Sequence, residues 1–317
     1  MRALVTGGTG FMGRSLVKKL ESMGWDIHIC NTNTANLSEY KNLLVFDYDL
    51  RKPFDVIFHL AANTKAGDWC IHNSGTQWIT NQQINTNILK FWAERHPKAK
   101  MVAMGTSCSY DPNLPLREDF YEKGKPEENL YYYAQTKRML LTGLRAIEKQ
   151  HGLEWVYIVP STLYGPGYDE DDNHFIFDLV RKIHKSSRDG SEVELWGDGL
   201  QERELIYIDD FIELLMKVIF RKYGTANEVI NIGRGEEYSI QHYANTISDI
   251  LSYDNKTIVY NTSKFVGVKS KCLDIGKLKT YVPEFTYTTL DKGLRELINW
   301  EDQQNETEIF THDIGTD

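Results

Sequence analysis

The stretch RALVTGGTGFMGRSLVKKLESMG, residues 2–24, decides the fold. RALVT is a short apolar run bounded by glycine, the pattern of a buried strand. GRSLVKKLESMG then places Leu16, Val17 and Leu20 on one helical face, and Gly24 ends the helix. Between strand and helix stand Gly7, Gly10 and Gly13, and Gly8, Gly10 and Gly13 also fit the spacing G-x-G-x-x-G. Glycines there permit a tight turn and let backbone N–H groups approach a pyrophosphate at the positive end of a helix. A glycine pattern alone can be a structural turn; at a strand–turn–helix junction it predicts a dinucleotide site.

Working outward, DIHIC, NLLVFD, DVIFHLAA, KMVAMGTS and EWVYIVPS read as further strands. TNQQINTNILKFWAERH and YAQTKRMLLTGLRAIEKQHG read as long helices between them. Repeated strand–helix alternation predicts an α/β fold, a doubly wound Rossmann-type parallel sheet with helices on both faces. After LYGPG the rhythm changes to a smaller, mixed α/β C-terminal lobe: helices in HFIFDLVRKIHKS, IDDFIELLMKVIFRKYG, SIQHYANTISDILS and LDKGLRELINW, strands in VELWG, EVINIG and TIVY. The expected division is a cofactor domain over 1–165 and a substrate lobe over 166–300, with some elements of the latter returning to the sheet. An acidic tail over 301–317 is expected to fray.

The chain has 317 residues and a formal charge of −9, which argues against a nucleic-acid partner but leaves room for a local basic pocket holding an anionic small molecule. No run is long and apolar enough for a bilayer, so no membrane partner is expected. RALVTGG is already strand and turn, which leaves no expected leader. Cys30, Cys70, Cys108 and Cys272 show no CxxC pair or zinc spacing, so free thiols in a reducing cytoplasm and no metal are expected.

The second strand ends HICNTNTANL, with Cys30, Asn31 and Thr32 where an Asp or Glu would hold both ribose hydroxyls of NAD. Without that carboxylate a 2′-phosphate is not repelled, which favours NADP(H). No Arg or Lys stands there to grip the phosphate, and NAD(H) stays open. Asp49 and Leu50 of FDYDLRK are expected to border the adenine, and Leu60, Ala61 and Ala62 of FHLAAN to line the cofactor groove.

MGTSCSYDP places Thr106, Ser107 and Cys108 just past an apolar strand. YYYAQTKRM carries Tyr133 and Lys137, a Y-x-x-x-K pair sharing one helix face. An ammonium beside a phenol favours the phenolate and is expected to lower its pKa. A tyrosine so placed can pass a proton to a carbonyl oxygen.

With these motifs on the page, the chain from Met1 to about Trp300 resembles the extended short-chain dehydrogenase/reductases that act on nucleotide sugars. Within them it is most similar to the GDP-L-fucose synthases, epimerase/reductases of GDP-4-keto-6-deoxymannose. TSCSY, YAQTK, PSTLYGP, NHFIFDLVRK, LWGDGLQERELIYIDD and KSKCLD carry the likeness. The resemblance implies that Thr106 completes a Thr–Tyr–Lys triad with Tyr133 and Lys137. It implies that Cys108 and His174 are paired acid/base groups at C3 and C5 of the sugar, and that Phe11, Met12, Pro160 and Leu163 join the cofactor site.

Ser107, Thr162, Lys182, Trp196, Arg203 and Lys269 would bind the GDP-sugar, Lys269 sharing the basic stretch GVKSKCLD with Lys271. A homodimer through the helices at 81–95 and 133–150 is implied as well. Two departures stand out: Thr162 replaces an asparagine of the family, and Gly8-Thr9 occupies the place of a basic residue. The family's dehydratases carry an acidic pair where this chain has Ser107 and Cys108, which disfavours dehydration. Open alternatives are a C4-reductase acting on a GDP-4-keto sugar, such as a 6-deoxyheptose, after a separate epimerase, and a non-catalytic NADP-binding sensor.

Overall fold

The computed structural model describes residues 1–47, 52–65, 68–169, 174–221, 224–264 and 266–313, with the side chains of 68, 256 and 305–313 left aside. The first half alternates as the sequence predicts: β1 (Arg2–Thr6), α1 (Phe11–Ser22), β2 (Asp26–Cys30), a short α2 (Tyr40–Leu43) and β3 (Val56–His59). Then come α3 (Asp68–His72), α4 (Ser74–Arg95), β4 (Lys100–Met104), α5 (Tyr131–His151) and β5 (Trp155–Pro160). The second half holds β6 (Thr162–Tyr164), α6 (Phe175–Asp189), β7 (Val193–Trp196), β8 (Glu202–Tyr207) and α7 (Ile208–Ile219). It closes with β9 (Glu228–Ile232), β10 (Glu237–Ser239), α8 (Ile240–Leu251), β11 (Ile258–Asn261), α9 (Gly276–Tyr281) and α10 (Leu290–Asp313).

Six parallel strands form the central sheet in the order β2-β1-β3-β4-β5-β9. Ala3–Val5, Ile57, Phe58, Met101–Ala103 and Val156–Val159 are fully buried, as expected of strands covered on both faces. The order reverses direction between β1 and β3. Ligands of such sheets bind at that switch point, beyond the carboxyl ends of the strands. β9 lies in the second half of the chain yet closes the sheet beside β5. A three-stranded sheet, β10-β8-β6, and the pair β11-β7 build the second lobe around a separate apolar cluster that includes Phe177, Leu205, Tyr243 and Leu297.

NLLVFD is not a strand. α2 and a 3₁₀ turn at Leu44–Asp47 occupy it. Leu43 and Phe46 are buried while Leu44 and Val45 are exposed, a three-residue period that suits a helical turn and not a pleat. At the other end, α10 runs Leu290–Asp313. Among the described residues no helix is long and apolar enough to cross a membrane.

Candidate active site

The glycine turn is built by backbone contact. Gly7 has φ +70°, and a Cβ there would stand 2.8 Å from the Ala61 nitrogen. A Cβ on Gly13 would reach 2.1 Å from the Gly7 oxygen, so helix and turn pack closer than any side chain allows. Gly10 caps α1 with no side-chain hydrogen bond, and the first turn carries no acidic residue. Its first N–H groups are thus left for an anion, and the turn fits a dinucleotide pyrophosphate.

Phe11 and Met12, half-buried, open the helix. Phe11 meets Phe177 of α6 edge-on at 5.7 Å. Arg14 crosses the lobes as well, donating to the Thr9 and Gly167 carbonyls and pairing with Asp169 at 2.9 Å.

Leu60, Ala61 and Ala62 follow β3 over the turn, and the Ala61 N–H donates to Thr6 Oγ1 at 3.2 Å. At the ribose end, Asn31 Oδ1 accepts the Asn33 and Thr34 N–H groups at 2.9 Å each. That oxygen is committed to shaping its own loop. Burial pushes the Cys30 thiol up to about 12, so it is a packing residue. Asp49 and Leu50 lie outside the described residues. Pro160, the last residue of β5, and Leu163, in β6, are half-buried.

Thr106, Tyr133 and Lys137 come together where β4 ends. Gly105 is required there, since a Cβ would stand 2.6 Å from the Tyr157 ring and 2.8 Å from Tyr121 Oη. Those two tyrosines form a buried strut. Tyr157 Oη donates to the Lys137 carbonyl at 2.7 Å, so its single proton is used. Tyr121 Oη must therefore donate to Tyr157 Oη, at 3.0 Å, and it accepts the Thr106 N–H at 3.3 Å. Two triad residues on different elements are tied through one pair of phenols.

A second buried chain reaches the same helix. His59 lies between Thr6 Oγ1 at 2.9 Å and Asn85 Oδ1 at 3.1 Å, and Asn85 Nδ2 donates to the Thr136 carbonyl at 3.2 Å. Because Asn85 offers its oxygen, Nε2 of His59 carries the proton and Nδ1 accepts from Thr6. Burial lowers the imidazole to about 4, which keeps it neutral.

Lys137 is 4% exposed, and its Nζ donates to the Met104 carbonyl at 3.0 Å and sits 6.0 Å from the Tyr133 ring centre. Burial lowers its ammonium to about 8. The expectation for Tyr133 is reversed. Burial, with the nearby Cys108, Tyr121 and Cys70, raises its pKa, and the hydrogen bond with Thr106 offsets only part. Desolvation of a phenolate outweighs an ammonium that is itself desolvated. A proton donor gains from this, since the phenol holds its proton until a stronger base develops on the substrate.

Cys108 stands two residues beyond Thr106, its N–H donating to Thr106 Oγ1 at 3.3 Å. It is half-buried in a cleft lined by Ser107, Leu116, Glu127, Val268, Ser270 and Lys271. Lys271 Nζ lies 3.6 Å from the sulfur and 3.3 Å from Glu127 Oε2. Burial opposes that ammonium, but Cys108 and Glu127 prevail and raise its pKa. Arg203 is close enough to both to feel their charge, and its Nη1 donates to the Glu202 and Val268 carbonyls at 2.7 and 2.8 Å. Arg138 fixes the loop from below, with Nη2 donating to the Ser109 and Lys123 carbonyls at 2.6 and 2.8 Å.

The remaining expected residues stand on other elements. His174 is exposed at the residue preceding α6 and is not among the residues lining the Cys108 cleft. Lys182, about two turns into the same helix, pairs with Asp178 at 2.9 Å. Trp196 is 48% exposed at the end of β7, with Lys264 over its ring at 5.7 Å. Thr162 is half-buried at the start of β6. Lys269 is exposed and meets β8 through its carbonyl, which accepts the Glu202 N–H at 2.7 Å. The basic group facing the cleft is Lys271. Sequence reading also passed over Glu127, Tyr121 and Tyr157. The one available signal was Gly105, placed before the hydroxyl that it frees for contact.

Comparison with known proteins agrees with this fold. Residues 3–233 match the NAD dependent epimerase/dehydratase family. GDP-L-colitose synthase of Yersinia pseudotuberculosis is 29% identical over 306 residues, spanning 93% of this chain and 96% of that protein. GDP-L-fucose synthase 1 of Arabidopsis thaliana is 27% identical, spanning 94% and 92%. The crystal structure of a GDP-L-fucose synthetase from Naegleria fowleri bound to NADP superposes with a TM-score of 0.86 at 24% identity, covering 96% of this chain and 94% of that one.

Proposed function

The chain belongs to the NAD dependent epimerase/dehydratase family, and from that premise we propose that it is an NADP(H)-dependent epimerase/reductase of a GDP-linked 4-keto-6-deoxy sugar. The observation carrying the reading is the convergence of Thr106, Tyr133 and Lys137 with a half-buried thiol, Cys108, at the carboxyl ends of the sheet. The substrate class comes from relatives named GDP-L-colitose synthase and GDP-L-fucose synthase 1.

Gly7, Gly10, Gly13 and the Leu60–Ala62 groove would hold NADP(H), which would supply hydride for carbonyl reduction when bound. The chain's own groups do the rest. Thr106 Oγ1 and Tyr133 Oη hold the C4 oxygen, and Tyr133 donates a proton to it. Lys137 offsets the charge left on the phenol, a task it performs below pH about 8. Cys108 removes or returns a proton on a carbon made acidic by the C4 ketone, with His174 as its counterpart. Arg203, Lys182 and Trp196 hold the GDP, the last by stacking on the base.

The division at about residue 165 between cofactor domain and substrate lobe belongs to the same reading. So does a homodimer through α4 and α5, which carry exposed Trp78, Ile79, Tyr132 and Met139. The test is turnover of GDP-, UDP-, dTDP- and CDP-4-keto sugars with NADPH or NADH, the products identified by mass spectrometry. Reduction of GDP-4-keto-6-deoxymannose with NADPH is expected. Absence of turnover with the whole panel overturns the proposal.

A further inference from the structure

Lys271 lies in the loop after β11, far in sequence from the strand end that carries Cys108. It nonetheless reaches 3.6 Å from the sulfur, while Glu127, just before α5, takes the same ammonium at 3.3 Å. Both side chains of the ion pair are 18% exposed, so the pair is only partly screened by water. The Lys271 N–H is itself fixed by Glu237 Oε2 at 2.9 Å, and Leu273, two residues on, donates to Glu204 Oε2 at 2.8 Å. The segment that aims the ammonium is therefore anchored to the second lobe's sheet.

We propose that Lys271 and Glu127 are positioning residues that set the charge on Cys108, Lys271 favouring the thiolate and Glu127 tempering it. This rests on the reading of Cys108 as a proton-transfer group. A thiol serving as base must reach the thiolate readily, and an adjacent cation favours that form. A thiol that must return the proton cannot be held permanently ionised. A cation shared with a carboxylate meets both demands.

The other groups facing Cys108 do not supply this balance. Tyr133 from α5 and Cys70 from α3 are neutral acids whose pKa values burial raises. Arg203 from β8 feels Cys108 but keeps Nη1 on two backbone carbonyls. Tyr110, also lining the cleft, commits its hydroxyl to Asn231 Oδ1 at 2.7 Å.

The test is the pH profile of alkylation by iodoacetamide, read at the Cys108 peptide by mass spectrometry. Cys272 is an internal control, because burial and the nearby Glu204 and Glu237 push its thiol up to about 12. Lys271→Met is expected to move the alkylation midpoint upward. Glu127→Gln moves it downward, and Lys271→Arg restores the wild-type profile. Opposite shifts from two neighbouring substitutions are not what a packing role produces. Profiles that overlay wild type, or that shift in the same direction in both variants, overturn the proposal.

The readout needs no substrate. Opposite shifts support the charge coupling even where the wild-type enzyme incorporates no solvent deuterium into a keto sugar, a result that would overturn epimerisation alone.

Discussion

The triad and Cys108 are held in different ways. At the triad, support is buried and runs through the backbone: Tyr121 and Tyr157 tie Thr106 to Lys137, and His59 with Asn85 ties the glycine strand to Thr136. At Cys108 the support is a partly exposed ion pair from loops of both lobes. The first arrangement fixes geometry, as a carbonyl that must meet a proton donor requires. The second fixes charge, as a group that takes and returns protons requires. On the proposed reading, the core holds the reduction machinery and the loops hold the proton-transfer machinery.

The sharpest way to break that division is at the triad. Tyr133→Phe is expected to lower the single-turnover reduction rate by about 10²–10⁴-fold while NADPH affinity changes little. Fluorescence titration of NADPH beside stopped-flow kinetics separates the two, and retained reduction would remove Tyr133 from the acid role.

The His59 chain predicts an acid-sensitive core. The folded imidazole stays neutral down to about 4, while the unfolded one titrates near the ordinary 6.5. The unfolded chain thus takes up the proton first, and the contribution present above pH 6.5 is lost as pH falls toward 4. The loss is about 3 kcal/mol at about 1.4 kcal/mol per unit. Denaturant midpoints across that window should fall less steeply in His59→Gln. Some slope remains from His96, whose imidazole burial also lowers to about 4.

Tyr157→Phe removes the donor to the Lys137 carbonyl and the acceptor for Tyr121. About 1–3 kcal/mol of stability should be lost, with kcat falling and KM for the nucleotide sugar little changed. A KM effect instead would place the strut outside the triad. The smallest effect is expected at the far end of the substrate lobe. Trp196→Ala should raise KM about tenfold, leaving kcat and the melting temperature unchanged, as a half-exposed stacking residue would.

What the sequence revealed followed from how local each signal is. The glycine turn, β1, α1 and the Tyr133/Lys137 pair are each written within a few consecutive residues, and all were legible. NLLVFD misled because a short apolar run does not carry its own period, and burial of Leu43 and Phe46 decides it only in context. Lys271, Glu127, Tyr121 and Tyr157 were not legible as a set, since their meeting depends on loops converging from distant parts of the chain. Lys269 and Lys271 were read together as basic contacts, and only the structure tells them apart: Lys269 is exposed, while Lys271 meets Cys108 and Glu127.

The central claim is that the Thr106/Tyr133 side reduces a carbonyl while Cys108 moves protons on its neighbouring carbons. Mass spectrometry of the product formed from GDP-4-keto-6-deoxymannose and NADPH in heavy water, by wild type and by Cys108→Ser, tests it most directly. Deuterium at C3 and C5 with wild type, and its suppression in Cys108→Ser while an already epimerised keto sugar is still reduced, is the expected result. Equal labelling by the two proteins, or reduction by wild type with no label at either carbon, contradicts it.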